Sequence, residues 1–195
     1  MKALYPIIAV LCLVSLAAGH ANAQVGLKPG IGITFSDVSK SPVNGEVTGQ
    51  VGWQIGGSIQ FGNQGYIEPG LFYATKSTSF TDRTARLEFT NDVNGFRIPV
   101  VLGLHLIGQG TGQFSLRVFG GGSAFIVTSV SARGLSKDDF TSPAWGLLVG
   151  AGLDILMFYA DLQYEWSLSN VSTLSSVDIG KSRSLFATAG IRLPF

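Results

Sequence analysis

The sequence has 195 residues, of which 46% are hydrophobic and only 13% are charged, with a formal net charge of +1. Soluble globular chains carry about 25% charged residues, so this composition argues against an ordinary soluble domain. The near-zero charge argues against a basic surface for nucleic acid, and the single cysteine, Cys12, excludes a disulfide framework.

The first 23 residues have the pattern of a secretory signal peptide. Lys2 supplies a positive charge, an apolar stretch follows, and residues 21–23 read Ala-Asn-Ala, which is an A-x-A cleavage site. A membrane anchor helix is the alternative, but it would need about 20 apolar residues. The sequence therefore predicts a signal peptide over 1–23 and a mature domain over 24–195. Without Lys2, the 13 basic residues become 12, equal to the 12 acidic ones.

The mature part contains no stretch long and apolar enough for a transmembrane helix, yet its hydrophobicity is high. Its hydrophobic residues instead follow a period of two. From Val25 to Phe35 the odd positions are apolar and the even positions are small or polar. Similar segments follow near 51–61, 67–76, 96–106, 114–126, 145–155, 158–167 and 183–195. This pattern predicts an all-β chain that forms an eight-stranded antiparallel up-and-down transmembrane β-barrel, with lipid-facing and lumen-facing residues in alternation.

The connections between these segments alternate in length. Long polar connections are expected near 36–48, 78–93, 128–142 and 169–182, and short ones near 62–64, 107–113 and 155–157. Membrane barrels have short periplasmic turns and long outer loops, so both ends of the mature chain are expected on the periplasmic side. A β-sandwich is the alternative, but its solvent-facing side would carry more charge.

Two prolines, Pro69 and Pro99, fall inside predicted strands. Each would remove a hydrogen-bond donor from the ladder between strands. We therefore expect them to mark bulges or positions near a membrane boundary.

Charged side chains collect on the inward face of the predicted strands. They are Lys28, Glu68, Lys76, Arg97, Arg117, Asp154, Asp161, Glu165 and Arg192. Five cations and four anions in the narrow lumen of eight strands predict a network of ion pairs that plugs the barrel. A gated path for protons or ions is the alternative. Five apolar residues share this face, where a narrow lumen can bury them: Phe72, Val101, Phe119, Phe125 and Phe186.

No catalytic, cofactor or metal site is expected. His105 is the only histidine of the mature chain, and no serine stands near it at a motif-like spacing. The sequence also lacks a metal-binding pattern of histidines, cysteines or acidic residues. An enzyme that modifies lipid A and a narrow channel or secretion accessory remain as alternative functions.

Several aromatic residues fall on the outward face: Trp53, Tyr73, Trp145, Tyr164 and Trp166. We expect them to form girdles at the membrane interfaces, where a ring contacts lipid while its polar atom stays hydrated. A platform for stacking carbohydrate is the alternative.

Particular runs of residues resemble a known family. Residues 66–73 (YIEPGLFY) and 96–102 (FRIPVVL) resemble the third and fourth strands of PorT-type outer-membrane β-barrel proteins, and 150–154 (GAGLD) with 160–164 (ADLQY) resemble their sixth and seventh strands. The resemblance extends to small barrels of the OmpA/OmpX kind. It implies an integral barrel in the outer membrane of a Gram-negative cell.

The partners expected from this reading are those of an outer-membrane barrel. The wall would contact outer-membrane lipid and lipopolysaccharide, and the outer loops would contact an unidentified protein. The final Phe195, which follows alternating apolar residues, resembles the C-terminal signal by which the barrel-assembly machinery recognises its clients.

Overall fold

The computed structural model describes residues 24–38, 45–49, 51–82, 87–108, 113–131, 142–169 and 182–195. The predicted signal peptide lies outside these residues. The described strands are β1 (Val25–Val38), β2 (Gly45–Gly49), β3 (Val51–Gly62), β4 (Gly65–Asp82), β5 (Leu87–Ile107), β6 (Phe114–Ser131), β7 (Ala144–Ile155), β8 (Phe158–Ser167), β9 (Ser182–Ile191) and β10 (Leu193–Pro194). In this part of the chain, no helix has the length and apolar character that crossing a membrane requires.

The strands close into a barrel. From β3 to β9, strands that follow one another in the chain pair antiparallel, and β1 pairs with β3 on one side and with β9 on the other. Strand β10 continues β9 along β1, and β2 continues the line of β3 along β4, so the described strands build eight strands of wall. Because a sheet in hydrocarbon must have no unpaired edge, this closure suits a membrane. The predicted eight-stranded antiparallel barrel is confirmed.

Burial alternates along each strand as the period of two predicts. In β8, the side chains of Tyr159 and Asp161 are buried, whereas those of Ala160 and Leu162 are exposed. The five apolar residues on the inward face are buried in the lumen. None of them is more than 7% exposed. The outside of the barrel is correspondingly apolar.

Four strands extend further than the sequence pattern indicates: β1 and β6 by a few residues, and β4 and β5 by more. Residues 78–93 were predicted as a loop, but β4 continues to Asp82, β5 begins at Leu87, and these two residues pair. Threonine, serine and phenylalanine alternate here, and Thr and Phe favour extended backbone. The polar composition therefore marks strand outside the membrane rather than loop. The predicted loops over 36–48 and 128–142 are likewise wrong in part, because residues 36–38, 45–48 and 128–131 lie in strands. Residues 39–44, 132–141 and 170–181 of the predicted loops lie outside the described residues.

The two prolines do not mark bulges. The ladder between β4 and β5 is interrupted beside Pro69 and Pro99 and then resumes in the same register. The register shifts of β5 lie elsewhere, after Asn94 and after His105. The expectation of bulges at the prolines is therefore wrong, because a missing donor interrupts pairing locally without inserting a residue. The alternative, a position near a membrane boundary, stays a prediction.

Close backbone approach characterises the seam where β1 meets β9. The hydroxyl of Tyr159 donates a hydrogen bond to the backbone oxygen of Lys28 at 3.3 Å. A Cβ at Gly30 would overlap the Tyr159 hydroxyl, and a Cβ at Gly190 would overlap the backbone oxygen of Pro29. Only glycine fits at these two positions, so the seam closes around a tyrosine that enters the lumen.

Candidate functional site in the lumen

The inward faces of the strands bring the predicted charged residues into one lumen. Lys28, Arg97 and Arg117 are completely buried. The other side chains that the structure describes are also buried, each less than 8% exposed: Glu68, Asp154, Asp161, Glu165 and Arg192. Lys76 lies in β4, but its side chain lies outside the described part of the structure.

Six of these residues form a central cluster, defined as Lys28, Glu68, Arg117, Asp154, Asp161 and Arg192. Within it, Lys28 Nζ lies 3.0 Å from Glu68 Oε1 and 3.1 Å from Asp161 Oδ2. Lys28 is on β1, Glu68 on β4 and Asp161 on β8. One ammonium group therefore connects three strands across the lumen.

Arg117 of β6 lies among the three acids of the central cluster. Its Nη2 lies 2.5 Å from Asp161 Oδ1 and 2.9 Å from Asp154 Oδ1, and its Nη1 lies 3.5 Å from Glu68 Oε2. The contact with Asp154 Oδ1 lacks hydrogen-bond geometry. Arg192, between β9 and β10, lies 3.4 Å from Asp154 Oδ2. Three cations thus neutralise three carboxylates.

Neutral side chains support the central cluster. Ser58 Oγ donates to Glu68 Oε1 at 2.6 Å, and Arg117 Nη1 donates to the Tyr66 hydroxyl at 3.5 Å. The ammonium of Lys28 lies 4.4 Å from the centre of the Tyr159 ring. Tyr66 and Tyr159 are not among the predicted lumen residues. Tyr66 stands two residues before Glu68, and Tyr159 stands two residues before Asp161. The period of two therefore indicates that both tyrosines face the lumen.

A second set of contacts lies around Arg97 and is called the outer group here: Arg97, Ser123, Gln163, Glu165 and Phe186. Arg97 Nε donates to Glu165 Oε2 at 2.9 Å, and its Nη2 donates to Gln163 Oε1 at 3.0 Å. Its guanidinium carbon lies 3.9 Å from the centre of the Phe186 ring. Ser123 Oγ donates to Glu165 Oε2 at 2.7 Å. The outer group therefore combines an ion pair with a cation-π contact.

Little space remains between the two sets. A cavity of about 10 Å³ is bounded by Glu68 and Asp161 of the central cluster, by Gln163 of the outer group, and by the rings of Phe72 and Phe119. A cavity needs about 10–15 Å³ to hold one water molecule. The described lumen at this level has room for about one water.

Among the described residues, His105 forms no ion pair with the carboxylates that contact Arg117. It is buried, its Nε2 lies 3.4 Å from Gln60 Nε2, and its ring centre lies 5.0 Å from that of Tyr66. An amide and an aromatic ring are the surroundings of a packed side chain rather than of a general base with a nucleophile. Among the described residues, no group of three or more His, Cys, Asp or Glu is arranged to hold a metal ion.

The outward aromatic residues form clusters on the wall. The ring centres of Trp53 and Tyr73 are 5.8 Å apart, and Tyr73 lies 5.6 Å from Phe96. Tyr164 and Trp166 are 4.7 Å apart in an edge-to-face arrangement. Such pairs suit an interfacial belt, where rings lie against one another at the headgroup level.

A family model described as "Outer membrane protein beta-barrel domain" matches residues 18–173. The chain belongs to this family. It is accordingly an integral β-barrel protein of the cell outer membrane. No curated protein matches the sequence.

Comparison with solved structures finds outer-membrane proteins. The outer membrane protein OprG from Pseudomonas aeruginosa is 12% identical, with a TM-score of 0.58 over 91% of this chain and 98% of that chain. Ail, the attachment invasion locus protein of Yersinia pestis, is 15% identical, with a TM-score of 0.47 over 89% and 100% of the two chains. The translocator domain of the autotransporter NalP from Neisseria meningitidis is 14% identical, with a TM-score of 0.30 over 97% and 96%. The likeness to OprG supports the barrel fold.

Proposed function

We propose that this outer-membrane barrel is a non-enzymatic protein of structural or surface-interaction type, whose lumen is plugged by its own side chains. The observation that supports this is the central cluster, in which Arg117 and Lys28 reach carboxylates on other strands. These contacts cross the space that an ion or a solute would have to use.

Opening such a lumen is energetically costly. An ion that passed through would have to separate Arg117 from its carboxylates, and breaking a buried ion pair on one side costs about 3–5 kcal/mol. Eight strands also enclose an interior that side chains just fill. The small cavity between the central cluster and the outer group agrees with this packing.

Recognition then belongs to the outer end of the barrel. The wall contacts outer-membrane lipid and lipopolysaccharide, and the lumen is occupied, so the segments that connect strands at the outer end are the remaining surface for a protein partner. No cofactor is required. The runs over 66–73 and 96–102 support a PorT-type barrel, and Phe195 supports delivery by the barrel-assembly machinery.

Ion flux through vesicles tests the plug. The folded barrel is placed in lipid vesicles, and its folding is checked by the heat-dependent shift of its electrophoretic mobility. An ion gradient is then applied while the fluorescence of a trapped ion-sensitive dye is recorded. We expect the same leak as in empty vesicles, and Arg97→Ala should leave the leak unchanged because the central cluster remains.

A folded wild-type barrel that leaks faster than empty vesicles would contradict the plug. If Arg97→Ala then altered the preference for cations over anions, the result would favour the channel. Arg183→Ala, at an exposed position of β9, is the control for a general effect of losing an arginine.

A further inference from the structure

One of the short turns carries exposed apolar side chains. It is the two-residue turn Leu156–Met157, which joins β7 to β8. Leu156 is 66% exposed and Met157 is 54% exposed. Their neighbours in the chain, Ile155 and Phe158, are also exposed. Turns of this length in water are dominated by Asn, Asp and Gly. This turn instead presents the same kind of surface as the lipid-facing wall.

The backbone of the turn does not explain the leucine. Leu156 has a φ of 55°, in the left-handed region that favours Gly or Asn and that leucine rarely adopts. Turn geometry alone would therefore select a different residue. An apolar environment around the turn would explain the apolar side chain at this position.

Backbone groups of the turn are hydrogen-bonded to the chain on either side. The N–H of Leu156 donates to the backbone oxygen of Gln113 at 2.8 Å, and the backbone oxygen of Met157 accepts from the N–H of Arg192 at 2.7 Å. In water such groups can bond to solvent, whereas in hydrocarbon they must be satisfied within the protein. The β3–β4 turn is bonded in the same way, since the backbone oxygen of Gln64 accepts from the N–H of His105 at 2.8 Å. These bonds therefore allow the β7–β8 turn to enter lipid, but they do not by themselves place it there.

A polar turn at the same end of the barrel provides a contrast. Strands β3 and β4 are joined through Asn63 and Gln64, both exposed. The apolar surface at Leu156 also continues onto the wall through Phe114, which pairs with Ile155 and is 47% exposed. The two turns therefore present different kinds of surface, one polar and one apolar.

The length of β7 fits a strand that crosses the apolar layer. From Trp145 to Ile155 in β7, ten steps of about 3.3 Å at a tilt of about 40° span roughly 25 Å along the barrel axis. The apolar band of such barrels is about 25 Å tall. With Trp145 at the outer interface, the turn lies at the inner edge of the apolar layer.

We propose that the β7–β8 turn is inserted into the periplasmic leaflet of the outer membrane, where Leu156 and Met157 contact phospholipid acyl chains. Lipid is the occupant because the turn continues the lipid-facing wall without a polar break. The turn anchors one side of the barrel at a fixed depth, while the β3–β4 turn stays in the periplasm.

Spin labels on single cysteines test this placement. The mature chain has no cysteine of its own, so Met157→Cys and Leu156→Cys each give one site, with Asn63→Cys as the matched control. Each folded barrel is labelled with a nitroxide in vesicles of phosphatidylethanolamine and phosphatidylglycerol. Collision rates with oxygen, which concentrates in lipid, and with a water-soluble nickel chelate are then measured.

We expect the ratio of oxygen to nickel collisions to be several-fold higher at positions 156 and 157 than at position 63. A ratio equal to that at position 63 would place the turn in water and overturn the proposal. Protection from both reagents would overturn it too, because a protein would then cover the turn; spectral broadening between labels would identify that protein as a second copy of the chain.

A stability measurement gives an independent readout. Asparagine suits the left-handed backbone better than leucine, so a turn in water should be as stable or more stable with Leu156→Asn. A turn in lipid should be less stable, and the urea midpoint in these vesicles should fall below that of the wild type. An unchanged or raised midpoint would contradict insertion.

Discussion

The central cluster and the outer group neutralise their cations in different ways. In the central cluster, Arg117 shares three carboxylates with Lys28 and Arg192. In the outer group, Arg97 contacts Glu165 and Gln163 and also covers the ring of Phe186. Both sets also place a cation near an aromatic ring, Lys28 near Tyr159 and Arg97 near Phe186. The difference is that three cations share three carboxylates in the central cluster, whereas the outer group has one ion pair.

This difference has a consequence for the closed barrel. The central cluster connects β1 with β8 through Lys28 and Asp161, which are 133 residues apart in sequence. Its charges therefore act across the seam that completes the barrel. The outer group connects β5 with β8 and β9, and its cation-π contact contributes about 0.5–2 kcal/mol in addition to the ion pair. Loss of a cation should therefore lower the free energy of unfolding more in the central cluster than in the outer group.

The largest effect is expected for Arg117→Met. The variant leaves three buried carboxylates with two cations, and an uncompensated buried charge costs about 3–5 kcal/mol. Urea unfolding in lipid vesicles, followed by tryptophan fluorescence, measures the loss. Arg183→Met, at an exposed position of β9, is the control and should change the free energy of unfolding by less than about 0.5 kcal/mol. Equal losses in both variants would show that the central cluster does not stabilise the barrel.

A smaller loss, about 3 kcal/mol and at the lower end for a broken buried pair, is expected for Arg97→Met. The methionine keeps a favourable contact with the Phe186 ring, which the sulfur can pack against. A double-mutant cycle with Glu165→Gln should give a coupling energy of about 1–2 kcal/mol. If the two losses simply add, the pair contributes no coupling. If Arg97→Met lowers the free energy of unfolding by more than Arg117→Met does, the outer group rather than the central cluster contributes more to stability.

The smallest effects compare two serines of the lumen. Ser58 donates to the charged Glu68 at 2.6 Å, whereas Ser36 and Ser184 share a neutral hydrogen bond at 3.0 Å. A hydrogen bond to a charged group contributes about 1.5–3 kcal/mol and a neutral one about 1 kcal/mol. Ser58→Ala should therefore lower the free energy of unfolding by about twice as much as Ser36→Ala. An equal loss would indicate that Lys28 and Arg117 compensate Glu68 completely.

Much of the fold was predictable because membrane strands obey a strict period. Apolar and polar residues alternate in register with the two faces of the wall, and a one-residue shift would place charges such as Asp161 in lipid. The pattern failed where that constraint ends. Beyond the membrane, β4 and β5 continue to Asp82 and Leu87, and there both faces of a strand can be polar, so composition no longer separates strand from loop.

The candidate site was predictable as a set of residues but not as a set of contacts. The period of two placed Lys28 and Glu68 on the same side of the wall. It did not indicate which acidic side chain pairs with which basic one, because partners such as Lys28 and Asp161 are far apart in the sequence. Tyr159 illustrates the same limit. Its place in the lumen depends on Gly30 of β1, a strand with which β8 does not pair.

The sequence by itself determined the all-β class, the eight strands of the wall, the direction in which each side chain points and the membrane as its surroundings, because these follow from local alternation and from the cost of unpaired backbone in lipid. Only the tertiary structure decided the ion pairs across the lumen, the unbroken register at the prolines and the hydrogen bonds of the β7–β8 turn. These depend on how strands far apart in the chain are offset when the barrel closes, and closure is a property of the whole wall.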